Sequence, residues 1–189
     1  MIRAMLLATA LAVTSGVNAT GMAADFGKTL DEADTTLVLT GAGTASYMIW
    51  DVYDAALYAP ASAEQAAIMA AEVPMTLVLD YHRDVAVADI RKAAWKALDG
   101  QYDEASRDAL RPKVETLHDA MSDVGDGDRY QLDWRPKMET GEGRLVLKLN
   151  GQTRFASDDA ELARAYFGIW LGEPPLSGKL RQALLSRRD

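Results

Sequence analysis

The stretch from Gly41 to Pro60, GAGTASYMIWDVYDAALYAP, constrains this chain more than any other. From Ser46 to Tyr58 it is rich in aromatic, β-branched and small residues, which suit a pleated, packed surface. It reads as one long strand ending at Pro60, because proline has no N–H to give to a ladder. Strand side chains alternate between faces. Met48, Trp50, Val52, Ala56 and Tyr58 are therefore expected on one face, and Tyr47, Ile49, Asp51, Tyr53, Ala55 and Leu57 on the other. Both sets are mostly apolar, so the strand is predicted to be covered on both sides and central to the fold.

The segments around it read as follows. Asp34 to Thr40 is a short β-branched strand, which Gly41-Ala42-Gly43 turns or bulges into the central one. A helix runs from Ser62 to about Val73, stopped by Pro74, and Met75 to Tyr81 is the next strand. A helix from Val87 to Leu98 ends at Gly100, and a second helical segment spans Glu104 to Met121. Pro112 is expected to kink or divide that segment near Leu110. Arg129 to Trp134 is a strand. Arg144 to Leu149 and Gln152 to Phe155 then form a hairpin about Asn150-Gly151, the pair a type I′ turn favours. Asp158 and Asp159 cap a helix from Ala160 to Leu171, and a last helix from Gly178 to Leu185 precedes the basic pair Arg187-Arg188. At 189 residues with no internal repeat or dividing linker, this is one domain. Clustered helices beside hairpin-type strands predict an α+β fold, with an antiparallel or mixed sheet and helices on one side.

Residues 1–24 stand apart. A basic start at Arg3, an apolar run from Ala4 to Val13 and a small polar stretch to Ala24 form the tripartite pattern of a secretory signal peptide. The apolar run is too short to span a bilayer. There is no cysteine, which excludes disulfides, thiolate metal sites and a lipid-anchored start, and the destination is read as a bacterial periplasm. Removing residues 1–24 takes away Arg3 alone from 20 basic residues, so 19 face 28 acidic ones, a net charge of −9. That balance argues against nucleic acid and against anionic membrane surfaces as partners.

Motifs for chemistry are scarce. His82 and His118 sit on different elements, each read as a surface or satisfied histidine, so no metal site is expected. Asp123, Asp126 and Asp128 lack the spacing and closing glutamate of a calcium loop. No Gly-x-Ser-x-Gly elbow and no glycine-rich phosphate loop occurs, and no cofactor is implied.

The order of these pieces resembles the chalcone isomerase fold, in its secreted bacterial branch. The resemblance rests on GAG followed by a strand ending Ala55-Ala56-Leu57-Tyr58, and on Phe167-Gly168-Ile169-Trp170-Leu171-Gly172-Glu173-Pro174. His82-Arg83-Asp84-Val85 before Trp95, Ala109-Leu110-Arg111-Pro112, and the Gly-Asp turn before Arg129 support it, so that it covers the chain after Ala24. It implies an open-faced β-sandwich, a large antiparallel sheet with a layer of helices on one face. Plant members cyclise a chalcone to a flavanone, and others bind fatty acids or assist partner enzymes.

The catalytic residues of the plant members do not carry over. Where they have an arginine just after the GAG turn this chain has Ala45, and their strand threonine falls at about Tyr53. Their Tyr, Lys and Asn triplet falls on Arg83, Ala86 and Ile90. A developing enolate needs such donors, and losing one typically costs about a hundredfold in rate. The resemblance thus implies the scaffold without the reaction. The reading is a non-catalytic periplasmic protein that binds a small apolar or amphipathic ligand such as a fatty acid, lined by Tyr47, Ile49, Tyr53 and Arg83. A weak isomerase or intramolecular lyase using Arg83 and the tyrosines is one alternative. An envelope interaction protein that docks a protein partner on its sheet face is another.

Overall fold

The computed structural model describes residues 26–32, 35–137 and 142–186, so the signal segment and Arg187-Arg188 lie outside the described residues. Seven strands form one sheet in sequence order: β1 (Thr29–Glu32), β2 (Thr35–Tyr47), β3 (Trp50–Ala59), β4 (Met75–Tyr81), β5 (Arg129–Lys137), β6 (Glu142–Leu149) and β7 (Gln152–Ser157). Every neighbouring pair is antiparallel. The helices α1 (Gln65–Met69), α2 (Val87–Gln101), α3 (Glu104–Asp119), α4 (Ala160–Leu171) and α5 (Gly178–Leu184) fall between β3 and β4, between β4 and β5, and after β7.

Period-two alternation decides the layers. Ala55 and Leu57 of β3, Leu77 and Leu79 of β4, Leu132 and Trp134 of β5, and Leu145 and Leu147 of β6 share a core with all five helices. At its centre α4 touches α1, α2, α3 and α5 and buries eight of its twelve residues. A helix apolar on nearly all sides has to be enclosed in this way. The alternate residues on the opposite face include a buried polar network. Thr76 Oγ1 donates to Asp133 Oδ1 at 2.7 Å, and Lys148 pairs with the same carboxylate at 2.9 Å. A small apolar cluster of Leu37, Ala56, Tyr58 and Val78, covered by Phe26 and Leu30, completes that face. The sheet therefore carries helices on one side only, an α+β open-faced sandwich.

The predicted long strand is instead the two arms of a hairpin. Tyr47 pairs with Trp50, and the chain reverses through Met48 and Ile49, where Met48 has φ 56°. A strand cannot be told from a hairpin by composition when both turn residues are apolar and neither is Gly, Asn or Asp. The Gly-Ala-Gly segment is likewise no turn but lies inside β2, with register shifts at Leu39/Gly41 and Ala45/Ser46. Its glycines serve a close approach. A Cβ at Gly41 would run into the backbone carbonyls of α5, and one at Gly43 would sit 2.7 Å from the Ala183 Cβ.

Other expectations hold in part. α1 is shorter than predicted, and β1 is an additional strand. α2 continues through Gly100 to Gln101. Pro112 lies inside one continuous α3 and does not divide it. The Asn150-Gly151 hairpin forms as predicted, both residues having positive φ (51° and 77°). Asp159 caps α4, accepting from Leu162 N at 3.0 Å.

Candidate functional site: a cavity between sheet and helices

Between the inner face of β3, β4 and β5 and the helices α2 and α4 lies a cavity of about 660 Å³. That is within the range of roughly 300–1,000 Å³ typical of small-molecule sites. The interior is mostly apolar. Leu79 and Leu132 rise from the sheet side, and Ile90, Ala94 and Ile169 descend from the helices. Charge is confined to the solvent-exposed part of the wall, where Lys92 and Lys96 of α2 and Asp84 and Asp89 stand with the half-buried Arg83.

Four tyrosines give the interior its polar character. Tyr53 and Tyr81 are directly paired across β3 and β4, with ring centroids 5.4 Å apart. Tyr130 follows at 6.2 Å from Tyr81, and Tyr166 packs edge-on against Trp170 at 6.2 Å. Two of the hydroxyls are committed to the protein. Tyr130 accepts from Ser122 N at 2.9 Å, and Tyr166 donates to the Met121 sulfur at 3.3 Å. The Tyr53 hydroxyl accepts from the Trp170 Nε1–H at 3.0 Å, which leaves its own proton uncommitted among the described residues. The Tyr81 hydroxyl has no hydrogen-bond partner among them.

Burial pushes the Tyr53 phenol up to about 12, only partly offset by the bond from Trp170. Burial also lifts Tyr81 well above the ordinary phenol value, reinforced by its phenolic neighbours Tyr53, Tyr166 and Tyr130. Both are therefore neutral donors at any physiological pH.

Of the residues singled out from sequence, Tyr47, Tyr53 and Arg83 line the cavity and Ile49 does not. Ile49 was placed beside Tyr53 by strand alternation, but the reversal at Met48 puts it at the hairpin apex, 84% exposed. Trp50, expected on the opposite face from Tyr47, pairs with it and also lines the wall. Its ring stacks under the Arg83 guanidinium, 4.9 Å from the centroid. Ala45 lines the cavity too, at the position expected to hold a catalytic arginine in an active relative.

Sequence reasoning did not single out Tyr81, Tyr166 or Trp170 as lining residues. Their pairing was visible only in outline, since Met75, Leu77, Leu79 and Tyr81 share one strand face. Register decides that Tyr81 meets Tyr53, and register is a tertiary property.

The histidines are not both as expected. His82 stands beside the buried Asp54 at 3.1 Å, on the open face of the sheet. His118 is fully buried with Trp95 and Tyr166 edge-on to it at 6.3 and 5.8 Å. Neither of its ring nitrogens finds a hydrogen-bond partner among the described residues, and burial pushes its pKa down to about 4. It is neither a surface histidine nor a satisfied one. No cluster of three or more potential metal ligands occurs among the described residues. No described helix is long and apolar enough to cross a membrane.

A seven-strand meander under a helical layer, with its cavity between the two, is the chalcone isomerase-like arrangement, and the family model of that description matches residues 19–186. The chain belongs to the chalcone isomerase-like family. Among curated proteins, none matches it in sequence. Its architecture is similar to a solved structure, a fatty-acid binding protein of Arabidopsis thaliana, with a TM-score of 0.62 and 16% identity. That similarity covers 85% of this chain and 91% of the plant protein, and at such identity it speaks for the fold alone. Within this chalcone isomerase-like chain, the lining positions expected from the catalytic members hold Ala45, Tyr53, Arg83 and Ile90. The wall offers phenols inside and, at the rim, the Arg83 guanidinium with the ammonium groups of Lys92 and Lys96.

Proposed function

We propose that this protein is a non-catalytic carrier for a single-chain amphipathic lipid, a fatty acid foremost, acting in a bacterial periplasm. The observation that carries the reading is the division of the cavity wall, apolar and phenolic within and charged only at its exposed edge. An ionised carboxylate buried without a cation would cost several kcal/mol. The head group is therefore held at the mouth, beside Arg83, Lys92 and Lys96, and the chain enters between sheet and helices. The plant structure named above binds a fatty acid by its description, which supports the same ligand class here. The N-terminal pattern of residues 1–24 supports export, and the whole mature chain then works in the envelope.

The two uncommitted phenols refine the ligand. Neutral donors deep in an apolar space suit an uncharged acceptor oxygen on the chain, so hydroxy- or oxo-substituted acyl chains gain a hydrogen bond that plain chains lack. Such a bond is worth about 1 kcal/mol, or roughly fivefold in affinity.

Delipidated mature protein titrated with a fluorescent fatty-acid probe, then competed with palmitate, tests the assignment. Displacement with a dissociation constant of roughly 1–100 µM is expected for a chain of this size. No displacement by any long-chain acid would overturn it. Tyr81→Phe is the clean variant, since it deletes a hydroxyl with no protein partner. It should leave palmitate affinity almost unchanged and erase the preference for oxygenated chains. Tyr53→Phe would also strand the Trp170 indole N–H.

A further inference from the structure

The hairpin joining β2 and β3 ends in four consecutive exposed apolar side chains. Tyr47, Met48, Ile49 and Trp50 are 72, 83, 84 and 56% exposed, the Trp50 ring being partly covered by the Arg83 guanidinium. Four of the residues just inward are polar and bonded in pairs. Ser46 donates to Asp51 at 2.7 Å, and Thr44 to Asp54 at 2.6 Å. The apolar character is thus confined to the tip.

We infer that this tip is a membrane-surface insertion element, which seats the cavity mouth against the face of a phospholipid bilayer. The shape favours lipid over a folded partner. The tip is convex and narrow, a two-residue turn with Met48 and Ile49 at its apex and the Tyr47–Trp50 pair as shoulders. Aliphatic side chains at an apex suit the acyl boundary, while Tyr and Trp prefer the head-group level, where one edge stays wet. The Tyr47 hydroxyl and the Trp50 indole N–H have no partner among the described residues, so both remain available to head groups. The Arg83 guanidinium, stacked on Trp50, lies at the level where phosphates would meet it.

The backbone carries the same message. Met48 holds φ 56°, the left-handed region a non-glycine residue enters only at a cost. A hairpin that only had to turn would do better with Gly or Asn there.

Charge sets the lipid type. Around the mouth Arg83, Lys92 and Lys96 are largely offset by Asp84 and Asp89, and the whole sequence carries a net charge of −8. Attraction to anionic head groups is therefore not the driving force. Apolar insertion into zwitterionic bilayers, nearly insensitive to salt, is the signature. Because Tyr47 and Trp50 also line the cavity, docking brings the opening onto the surface where acyl chains reside. The inference does not depend on which molecule fills the cavity.

Sedimentation of the mature chain with sucrose-loaded phosphatidylcholine vesicles is the test, run at low salt and at about 0.5 M, where screening is nearly complete. Binding at both ionic strengths is expected, with a blue shift in tryptophan emission that Trp50→Phe removes. Met48→Ser/Ile49→Ser should weaken binding about tenfold or more. Neither residue lines the cavity, so fatty-acid affinity measured without vesicles stays unchanged in this variant, and failure of docking is separable from failure of the carrier reading. A circular-dichroism spectrum and urea midpoint confirm that the variant is folded. Wild-type protein left in the supernatant would overturn the inference, as would equal binding by the variant or binding that high salt abolishes. Concentration-dependent dimerisation lost in the variant, without vesicle binding, would assign the tip to a second copy instead.

Discussion

Two hairpins of this sheet turn in two residues each, and they solve the same problem differently. At Asn150-Gly151 both residues have positive φ, and the residue types are those that tolerate it. Asn150 also ties the turn to its surroundings. Its Oδ1 accepts from Arg129 N at 2.8 Å, and its Nδ2 donates to Asp128 Oδ1 at 2.7 Å. At Met48-Ile49 only Met48 has positive φ, neither residue is a turn former, and both side chains point into solvent. One turn is built to hold the sheet. The other gives up local stability to present an apolar surface.

The contrast yields ordered expectations for unfolding. The largest effect should come from Asn150→Ala, which removes two side-chain hydrogen bonds and leaves a Cβ-bearing residue without a compensating polar group at φ 51°. A loss of about 2 kcal/mol is expected, read as a lower urea midpoint with an unchanged slope. Met48→Gly should act in the opposite direction and raise stability by about 1 kcal/mol, because glycine occupies the left-handed region freely. A lowered midpoint would break the comparison, since it would mean that the Met48 side chain supports the fold.

The smallest effect concerns acid. The bond from Asn150, aided by Gly125 N at 2.7 Å, holds the Asp128 carboxyl below its ordinary value of 3.8. The unfolded chain therefore binds this proton before the folded one does. The contribution is complete above the ordinary value and fades as pH falls through the lower folded one. Midpoints of wild type and Asn150→Ala measured from about pH 6 to about pH 3 should converge slightly at the acid end. A gap that stays constant would show that Asp128 does not read the turn.

The same contrast explains what was legible beforehand. Asn150-Gly151 announces itself locally because its residue types match its dihedrals, and the caps and faces of α4 are local too. The tip could not be read, since Tyr47 to Trp50 continue the composition of both flanking strands. That single reversal moved Ile49 out of the site and brought Trp50 into it. The fold was legible from the order of motifs along the chain, GAG through the Phe167–Pro174 segment. The Tyr53–Tyr81 pair was not, because it depends on strand register. Nor was the use of Gly41 and Gly43, which depends on a helix far along the sequence. His118 was misread for a similar reason. Nothing in its neighbours in the chain shows that Trp95 and Tyr166 enclose it.

Those two glycines have a temporal consequence. Residues 178–184 supply the lid over their strand, yet nearly the whole domain separates the two in the order of synthesis. Until that short helix emerges, a bare groove of backbone stays open to water on β2, and any hold-up in translation before residue 178 prolongs its exposure. Proteolytic quality control then has a natural target, a domain whose sheet is paired but whose latch has not yet arrived.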